Sequence, residues 1–396
     1  MRILYIIDGM FNAAGRERVI ANKASCLTNL GHQVTIITTN QRNRTSYYPL
    51  PKEVDMVDLD INYDDYSGKN MLSKVQAYRA KSKLFSKRLN NYLSEHPQDV
   101  LVALMDRYVP AILQWKDLCV TVYENHFNKF AMYDLRESRT RQALQQTVYR
   151  MKDWFYTRFY YRRLDIFAVL TEEDKTYWGR SFHNIMCMPN SINYDDTTTA
   201  PLNNRIVISV GRLTYQKGYD RLVSIWQQVE PLHPDWQMHI YGSGEDEEAL
   251  HRQISDAHLH NISIFAPTPD IASKLLSASA YVMTSRFEGL PMVLLEAMSA
   301  GLPLVSFDCK CGPKDVIADG TNGYLVPDGN LDLMAQRLDT LLSDEDLRRK
   351  MGKTAKEHAR NYSHQAIIAR WIALFEEKLT LKHAPRGHQD TGGATR

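Results

Sequence analysis

The chain has 396 residues and is therefore expected to form two domains, because one hydrophobic core rarely serves more than about 250–300 residues. With 44% hydrophobic and 24% charged residues it has the composition of a soluble globular protein, and a formal net charge of +2 argues against a general polyanion-binding function. Its five cysteines are odd in number and scattered, so free thiols in a reducing cytosol are expected, and no apolar stretch approaches the ~18 residues that a membrane span needs.

The first elements predict a Rossmann-type opening. An apolar strand over residues 2–7 is followed by a loop, by a helix over about 16–30 and by a second strand over 32–39. Strand, loop, helix and strand at this spacing are typical of a parallel α/β sheet. The short apolar run at the N-terminus is therefore expected to be a strand and not a signal peptide.

Two polar residues directly follow later strands of this half. Buried strands are predicted over 99–105 and 118–124, with Asp106 after the first and His126 after the second. Open α/β sheets bind ligands at the carboxyl ends of their strands, so both residues are candidates for a site. A structural role for His126 stays an open alternative, because a lone histidine is more often structural than catalytic.

A basic and aromatic segment follows at residues 136–163, with eight Arg or Lys residues against two acids. A helix of this kind can lie on an anionic membrane face, or it can be an ordinary amphipathic helix that covers the sheet. The aromatic side chains favour the covering helix, and the excess of arginine favours the membrane surface. Nucleic acid is not expected as a partner, because no known binding module surrounds the segment. The aromatic residues are Trp154, Phe155, Tyr156, Phe159, Tyr160 and Tyr161.

A polar stretch with a run of threonines separates two α/β alternations and is interpreted as a domain linker. A final amphipathic helix and a polar tail, expected to be disordered, close the chain. The predicted boundaries are an N-terminal acceptor-binding domain at 1–188, a linker at 189–204, a C-terminal donor-binding domain at 205–362, a crossover helix at 363–382 and a tail at 383–396.

The most informative stretch of the second half is 284–318, which predicts a strand end, a tight turn, a helix and a further strand. Pro291 suits the first helical position, where its missing N–H has no partner in any case. Glu288 falls in the turn, and Glu296 falls in the helix with seven residues between the two. The helix N-terminus between these carboxylates suits a diphosphate, and the carboxylates suit sugar hydroxyls. The alternative is that Glu288 caps the helix and Glu296 is a solvated surface residue.

The pattern Glu-x7-Glu, within SRFEGLPMVLLEAMSAGLPLVS, closely resembles the donor-site signature of the retaining glycosyltransferases of family 4. Upstream, SVGRLTYQKGYDRL resembles the other donor motif of that family, with Arg212 and Lys217 at its basic positions. The resemblance implies the α/β architecture called GT-B. In that fold two Rossmann-like domains face each other across a cleft, and a C-terminal helix crosses back to the first domain.

The resemblance also implies roles for single residues. Arg212 and Lys217 would neutralise the leaving diphosphate, since guanidinium and ammonium groups are the usual partners of phosphate oxygens. Glu296 would hold the ribose and Glu288 the donor sugar, without acting as a nucleophile, because a front-face transfer is usual in the family. The catalytic candidates are thus His126, Glu288, Arg212 and Lys217. The expected donor site further includes Gly242, Gly244, Ala266, Gly289, Leu290, Pro291, Met292 and Glu296.

On the acceptor side, the run AGRER around Gly15 corresponds to a family loop that usually begins with two glycines. Gly15 and Asp106 are the acceptor-side candidates, although Gly15 can equally be no more than the start of a helix. The Gly-x-Gly string at 242–244 lacks the full dinucleotide-binding register, which argues against a dehydrogenase.

The predicted function is a retaining glycosyltransferase that needs no metal or other cofactor and uses a nucleotide sugar, expected to be UDP-linked. The run DCKCGPKDVI resembles the branch of the family that builds bacterial capsule, O-antigen or related surface glycans. The expected acceptor is a lipid-linked glycan, with the enzyme peripheral on the inner face of the cytoplasmic membrane. Two alternatives remain: a UDP-sugar epimerase of the same architecture, and a non-catalytic protein that binds a sugar nucleotide.

Overall fold

The computed structural model describes residues 1–65, 71–129, 139–179 and 182–384. Its first sheet has seven strands in the order β3-β2-β1-β4-β5-β6-β7, with β1 parallel to β2 and β4. In chain order these strands are β1 (Arg2–Ile7), β2 (Gln33–Thr38), β3 (Asp55–Asp58), β4 (Val100–Ala103), β5 (Val120–Glu124), β6 (Ile166–Val169) and β7 (Ile185–Cys187).

Helices connect these strands as the Rossmann-type alternation predicts. Five of the six residues of β1 are buried, which explains its near-continuous apolar sequence. The first helix buries Val19 and also Ile20, Ala24 and Leu27, whose spacing of four and three residues places these last three on one face. The helices of this half are α1 (Gly15–Asn29), α2 (Met71–Glu95), α3 (Val109–Ile112), α4 (Arg139–Phe159) and α5 (Glu172–Trp178).

The second sheet has six strands in the order β10-β9-β8-β11-β12-β13, and neighbouring strands are parallel. Its strands are β8 (Ile206–Val210), β9 (Gln237–Tyr241), β10 (Ile262–Phe265), β11 (Ala280–Met283), β12 (Leu304–Asp308) and β13 (Gly323–Pro327). The helices of this half are α6 (Tyr219–Val229), α7 (Glu247–Asp256), α8 (Ile271–Leu276), α9 (Met292–Ser299), α10 (Pro313–Val316), α11 (Leu331–Ser343), α12 (Glu345–Ala359) and α13 (His364–His383).

Two separate hydrophobic clusters pack around the second sheet. In one, Leu222 and Trp226 of α6 pack with Leu338 of α11, and in the other Leu294 and Met298 of α9 pack with α12. Such helices on a parallel sheet are the doubly wound arrangement. The predicted fold class, two Rossmann-like parallel-sheet domains in a GT-B architecture, is therefore confirmed.

The chain forms two compact units, one made of 1–123, 163–166 and 368–396, the other of 124–162 and 167–367. Most of α13 thus belongs to the unit that contains the N-terminus. There, the fully buried indole of Trp371 lies under the ammonium of Lys23 on α1, at 4.5 Å from ring centroid to nitrogen. This contact places the C-terminal helix against the N-terminal elements, as expected for a helix that crosses back to the first domain. The predicted domain boundaries stay a prediction.

One local expectation is wrong, and a second can be compared with the structure only in part. Pro291 is the residue before α9, with ψ at 93°, so it caps the helix and does not occupy the first helical position as predicted. The predicted tail begins at 383, but α13 continues to His383, and residues 385–396 lie outside the described residues.

The covering role predicted for the aromatic side chains of α4 is wrong for three of them. Trp154, Phe155 and Phe159 are exposed by 65%, 44% and 42%, whereas Tyr161, just after the helix, is buried. Residues 136–138 of that basic segment lie outside the described residues. Within the part of the chain that is described, no helix is both long and apolar enough to cross a membrane.

Candidate active site

Glu288 is the centre of the candidate site. It lies in the turn between β11 and α9 and is only 6% exposed. Its carboxylate oxygen Oε1 lies 2.7 Å from Nζ of Lys217 and accepts a hydrogen bond of 2.6 Å from Oγ of Ser285. A buried carboxylate is stable only when such partners compensate its charge. The structure therefore brings Lys217 and Glu288, two predicted site residues, into direct contact.

The main chain of Glu288 is also held on both sides. Its N–H donates to the carbonyl of Lys310 at 2.6 Å, and its carbonyl accepts from the N–H of Cys311 at 3.3 Å. The same carbonyl accepts a hydrogen bond from Nδ2 of Asn128, a residue that is 6% exposed. The main chain of Glu288 is thus held by two segments that are distant from it in sequence, and Asn128 was not predicted.

The loop that carries Arg212 and Lys217 follows β8 and is shaped by two glycines. A Cβ on Gly242 would lie 1.9 Å from the carbonyl oxygen of Gly211, and one on Gly244 would lie 2.3 Å from that of Leu213. No side chain fits at those distances, so both positions require glycine. The predicted donor residues Gly242 and Gly244 therefore lie against the backbone that bears Arg212, whose own side chain is exposed.

Further contacts tie the Lys217 loop to the Glu288 turn. The guanidinium of Arg286 donates to both carboxylate oxygens of Asp220, at 2.8 and 2.6 Å, and the backbone N–H of Arg286 donates to the carbonyl of Gln216 at 2.7 Å. In return, Nε2 of Gln216 donates to the carbonyl of Phe287 at 3.0 Å. These reciprocal bonds hold the two loops in one arrangement, so the Lys217–Glu288 contact is a built feature of the site.

Glu296 and the start of α9 supply the second part of the predicted site. Glu296 is half-buried in the middle of the helix, about 6 Å along the axis from Met292. The first N–H groups of any α-helix lack intrahelical acceptors and carry the positive end of its dipole. Leu290 and Pro291 are buried beside this end. The arrangement offers an anion both backbone donors and the nearby lysine.

His126 follows β5 and lies beside the same turn. A Cβ on Gly289 would be 3.5 Å from the carbonyl oxygen of His126, so the backbones of the two residues are adjacent. The side chain of His126 is 5% exposed, with Nε2 lying 3.4 Å from Oε2 of the buried Glu124. The predicted histidine is therefore close to the Glu288–Gly289 turn, and Glu124 is a neighbour that was not predicted.

Ala266 directly follows β10 and is exposed, and its role at the donor stays a prediction. The rings of Tyr241 and Phe265, at the ends of β9 and β10, stack next to it with centroids 4.9 Å apart. Gly15 is the first residue of α1, with open space at its Cβ position, and Asp106 begins a short 3₁₀ turn after β4. The acceptor-side roles of Gly15 and Asp106 stay predictions.

Burial raises the pKa values of two groups near the site. It raises the pKa of the Cys309 thiol, and the negative charge of Glu288 raises it further. Burial likewise raises the pKa of Tyr219. Among the described residues, no three or more His, Cys, Asp or Glu side chains group as metal ligands do. The expectation that the reaction needs no metal stays a prediction.

Comparison with known proteins identifies the family to which the chain is similar. Residues 191–358 match the family model described as glycosyl transferases group 1. The amylovoran biosynthesis glycosyltransferase AmsD of Erwinia amylovora is 30% identical over 386 residues, which cover 93% of this chain and 98% of that protein.

Two further likenesses concern an enzyme with a named acceptor and a structure with bound UDP. The first is the GalNAc-alpha-(1->4)-GalNAc-alpha-(1->3)-diNAcBac-PP-undecaprenol alpha-1,4-N-acetyl-D-galactosaminyltransferase of Campylobacter jejuni, 23% identical across 95% of this chain and 99% of its own length. The second is a mutant of S. aureus TarM in complex with Fondaparinux, alpha-GlcNAc-glycerol and UDP. It superposes with a TM-score of 0.70 at 16% identity, across 94% of this chain and 99% of that one.

Proposed function

The chain belongs to the group 1 glycosyl transferases, and from that premise we propose that it is a retaining enzyme of family 4 that transfers a hexose from a UDP-linked sugar to a growing surface glycan. AmsD, which is similar along almost its whole length, is named for amylovoran biosynthesis. The structure with TM-score 0.70 has UDP bound. The first likeness supports a surface glycan as the product, and the second supports a UDP-linked donor.

The contact between Lys217 and Glu288 is the observation that carries the proposal. Lys217 Nζ is 2.7 Å from a carboxylate that is nearly buried, on a loop next to Arg212 and beside the start of α9. In the proposed complex Lys217 and Arg212 face the diphosphate, and Glu288 accepts hydrogen bonds from the sugar. Charge that develops on the leaving diphosphate is then met by donors already in position, which is how preorganised sites lower a barrier.

In the proposed reaction the bond between C1 of the sugar and the β-phosphate oxygen breaks. A new bond forms between C1 and the acceptor hydroxyl on the same face of the ring, and the hydroxyl proton passes to the leaving phosphate. His126 lies beside the Glu288–Gly289 turn and is proposed to contact the reacting sugar. Glu124 would hold its imidazole ring in one orientation, since a carboxylate partner fixes both ring position and tautomer.

The proposed acceptor is a glycan carried on an undecaprenol-type lipid, with the enzyme peripheral on the inner membrane face. The Campylobacter jejuni transferase is named for an acceptor with a PP-undecaprenol group. The basic segment around α4 is compatible with an anionic membrane surface.

A donor and acceptor screen tests the proposal. Purified protein is incubated with a panel of UDP- and GDP-sugars, with and without a short glycan on polyprenyl diphosphate, and both UDP release and glycan mass are measured. We expect UDP release that depends on the acceptor, together with a glycan heavier by one hexose. A changed sugar nucleotide without acceptor would identify an epimerase, and UDP binding without turnover on any acceptor would identify a non-catalytic protein.

A further inference from the structure

Helix α4 carries large apolar side chains that are exposed in the described part of the protein. Val148, Met151, Trp154, Phe155 and Phe159 are exposed by 55%, 67%, 65%, 44% and 42%. Positions 148, 151, 155 and 159 are three or four residues apart, so they lie on one side of the helix. We refer to these five residues as the α4 apolar face.

The aromatic members of the α4 apolar face contact one another and form one patch. The ring centroids of Phe155 and Phe159 are 4.9 Å apart, and those of Trp154 and Phe159 are 6.2 Å apart. Single exposed hydrophobic residues are common on any protein surface, but a contiguous apolar patch marks an interaction surface.

Cations flank this patch and indicate the charge of its partner. Arg150, Lys152 and Arg158 are exposed on the same helix, and the guanidinium of Arg158 lies 5.5 Å from the ring of Phe159. Between residues 150 and 163 the single acid is Asp153, which is half-buried. A surface that combines an apolar stripe with flanking arginine and lysine complements a partner with an apolar interior and anionic groups at its edge.

We propose that the α4 apolar face inserts into the interface of an anionic lipid bilayer, with Arg150, Lys152 and Arg158 at the level of the phosphate groups. Interfacial helices have this composition, with aromatic residues on the apolar side and basic residues beside it. The inference rests on the proposed function in one respect, because an enzyme with an undecaprenol-linked acceptor works at a bilayer. It adds the segment and the residues that make the contact.

Vesicle sedimentation of the full-length protein tests the inference. Vesicles of phosphatidylcholine with about 30% phosphatidylglycerol are compared with pure phosphatidylcholine, since anionic lipid attracts basic segments. We expect binding to the anionic vesicles. A Trp154→Ser/Phe155→Ser variant should bind on the order of 10²-fold more weakly, because it lacks two large apolar side chains that the bilayer would bury. The matched control is Leu232→Ser, because Leu232 is 63% exposed but lies after α6. It should bind as the wild type does.

A second measurement does not depend on disrupting the patch. Lipids brominated near the headgroup should quench the fluorescence of wild-type protein, and Trp154→Phe should bind equally but lose most of that quenching. Equal quenching in Trp154→Phe, or unchanged binding of the double serine variant, would overturn the inference. So would a dimer in solution that the double serine variant converts to monomer, because the patch would then bind a second copy.

A soluble acceptor separates this inference from the proposed function. The double serine variant should transfer sugar to a short water-soluble acceptor at the wild-type rate, since neither Trp154 nor Phe155 is among the residues of the candidate site. If the wild-type protein transfers sugar but does not bind vesicles, the inference about the α4 apolar face is rejected and the proposed function is not. Vesicle binding without transfer to any acceptor would reject the glycosyltransferase function alone.

Discussion

Replacing Lys217 by methionine should damage both the stability and the activity of the protein, for separable reasons. The change keeps most of the side-chain volume but removes the charge 2.7 Å from Glu288 Oε1, whose side chain is 7% exposed. Breaking a buried ion pair costs 3–5 kcal/mol, and because the Lys217 side chain is 18% exposed we expect about 2–3 kcal/mol here. At roughly 2–4 °C per kcal/mol for a domain of this size, Tm should fall by about 5–10 °C.

The effect on rate should be larger than the effect on donor binding. Loss of one preorganised donor to a developing negative charge lowers kcat by roughly 10²-fold or more. UDP affinity should fall less, because exposed phosphate oxygens of the bound nucleotide can recruit water and counterions. Arg212→Ala should likewise reduce kcat without the loss of Tm, since its exposed side chain compensates no buried carboxylate.

Thermal unfolding, initial rates and UDP titration measure these effects. Adding Glu288→Gln to Lys217→Met should recover most of the lost Tm but none of the lost rate. Arg349→Met is the matched control, because its guanidinium lies at the same 2.7 Å from Glu345 in a pair that is about half exposed on both sides. The control should change neither property. Wild-type turnover in Lys217→Met would remove Lys217 from the site, and an unchanged Tm would refute the buried-charge reasoning.

Three further changes test neighbouring features. Asn128→Ala removes the amide that holds the Glu288 carbonyl, and should lower kcat about tenfold with a smaller change in KM, the size of one lost hydrogen bond. Gly244→Ala would place a Cβ 2.3 Å from the Leu213 carbonyl oxygen, so Tm and UDP affinity should both fall, whereas Gly15→Ala meets open space and should leave both unchanged. Burial raises the pKa of Asp174 to about 6 in the folded protein. The folded state therefore binds the proton more tightly than the unfolded state, and stability should fall as pH rises from about 4 to 6, by roughly 2–3 kcal/mol. That slope should disappear in Asp174→Asn, and a slope that persists would assign the titration to another group.

The sequence predicted the alternation of strands and helices because each buried strand is a short apolar run between turn residues. β1, β2, β4 and β5 all begin and end within two residues of their expected bounds. Helix ends were less certain: the motif pattern placed Pro291 inside α9, whereas its backbone angles make it the cap. Whether a residue is the cap or the first helical residue depends on its ψ angle. Proline fixes φ but not ψ, so it is compatible with either position.

The candidate site was predictable in its local motifs but not in its long-range contacts. Lys217 and Glu288 were both expected at the donor, yet the ion pair between them joins positions 71 residues apart. Asn128 is 160 residues from Glu288 and belongs to no recognised pattern, so only folding reveals its role. The aromatic side chains of α4 were misjudged for a related reason. Helical spacing shows that Phe155 and Phe159 share a side of the helix, but it does not show which side is covered.

The stereochemistry of the product is the measurement that tests the central claim most directly. With an α-linked UDP-sugar and the polyprenyl-diphosphate glycan, the one-bond and three-bond couplings of the anomeric proton in the purified product give the configuration of the new linkage. A retaining enzyme that uses the Lys217–Glu288 site yields an α-linkage, and Lys217→Met yields the same linkage more slowly. A β-linkage would contradict the retaining mechanism, and an α-linkage formed at full rate by Lys217→Met would contradict the site.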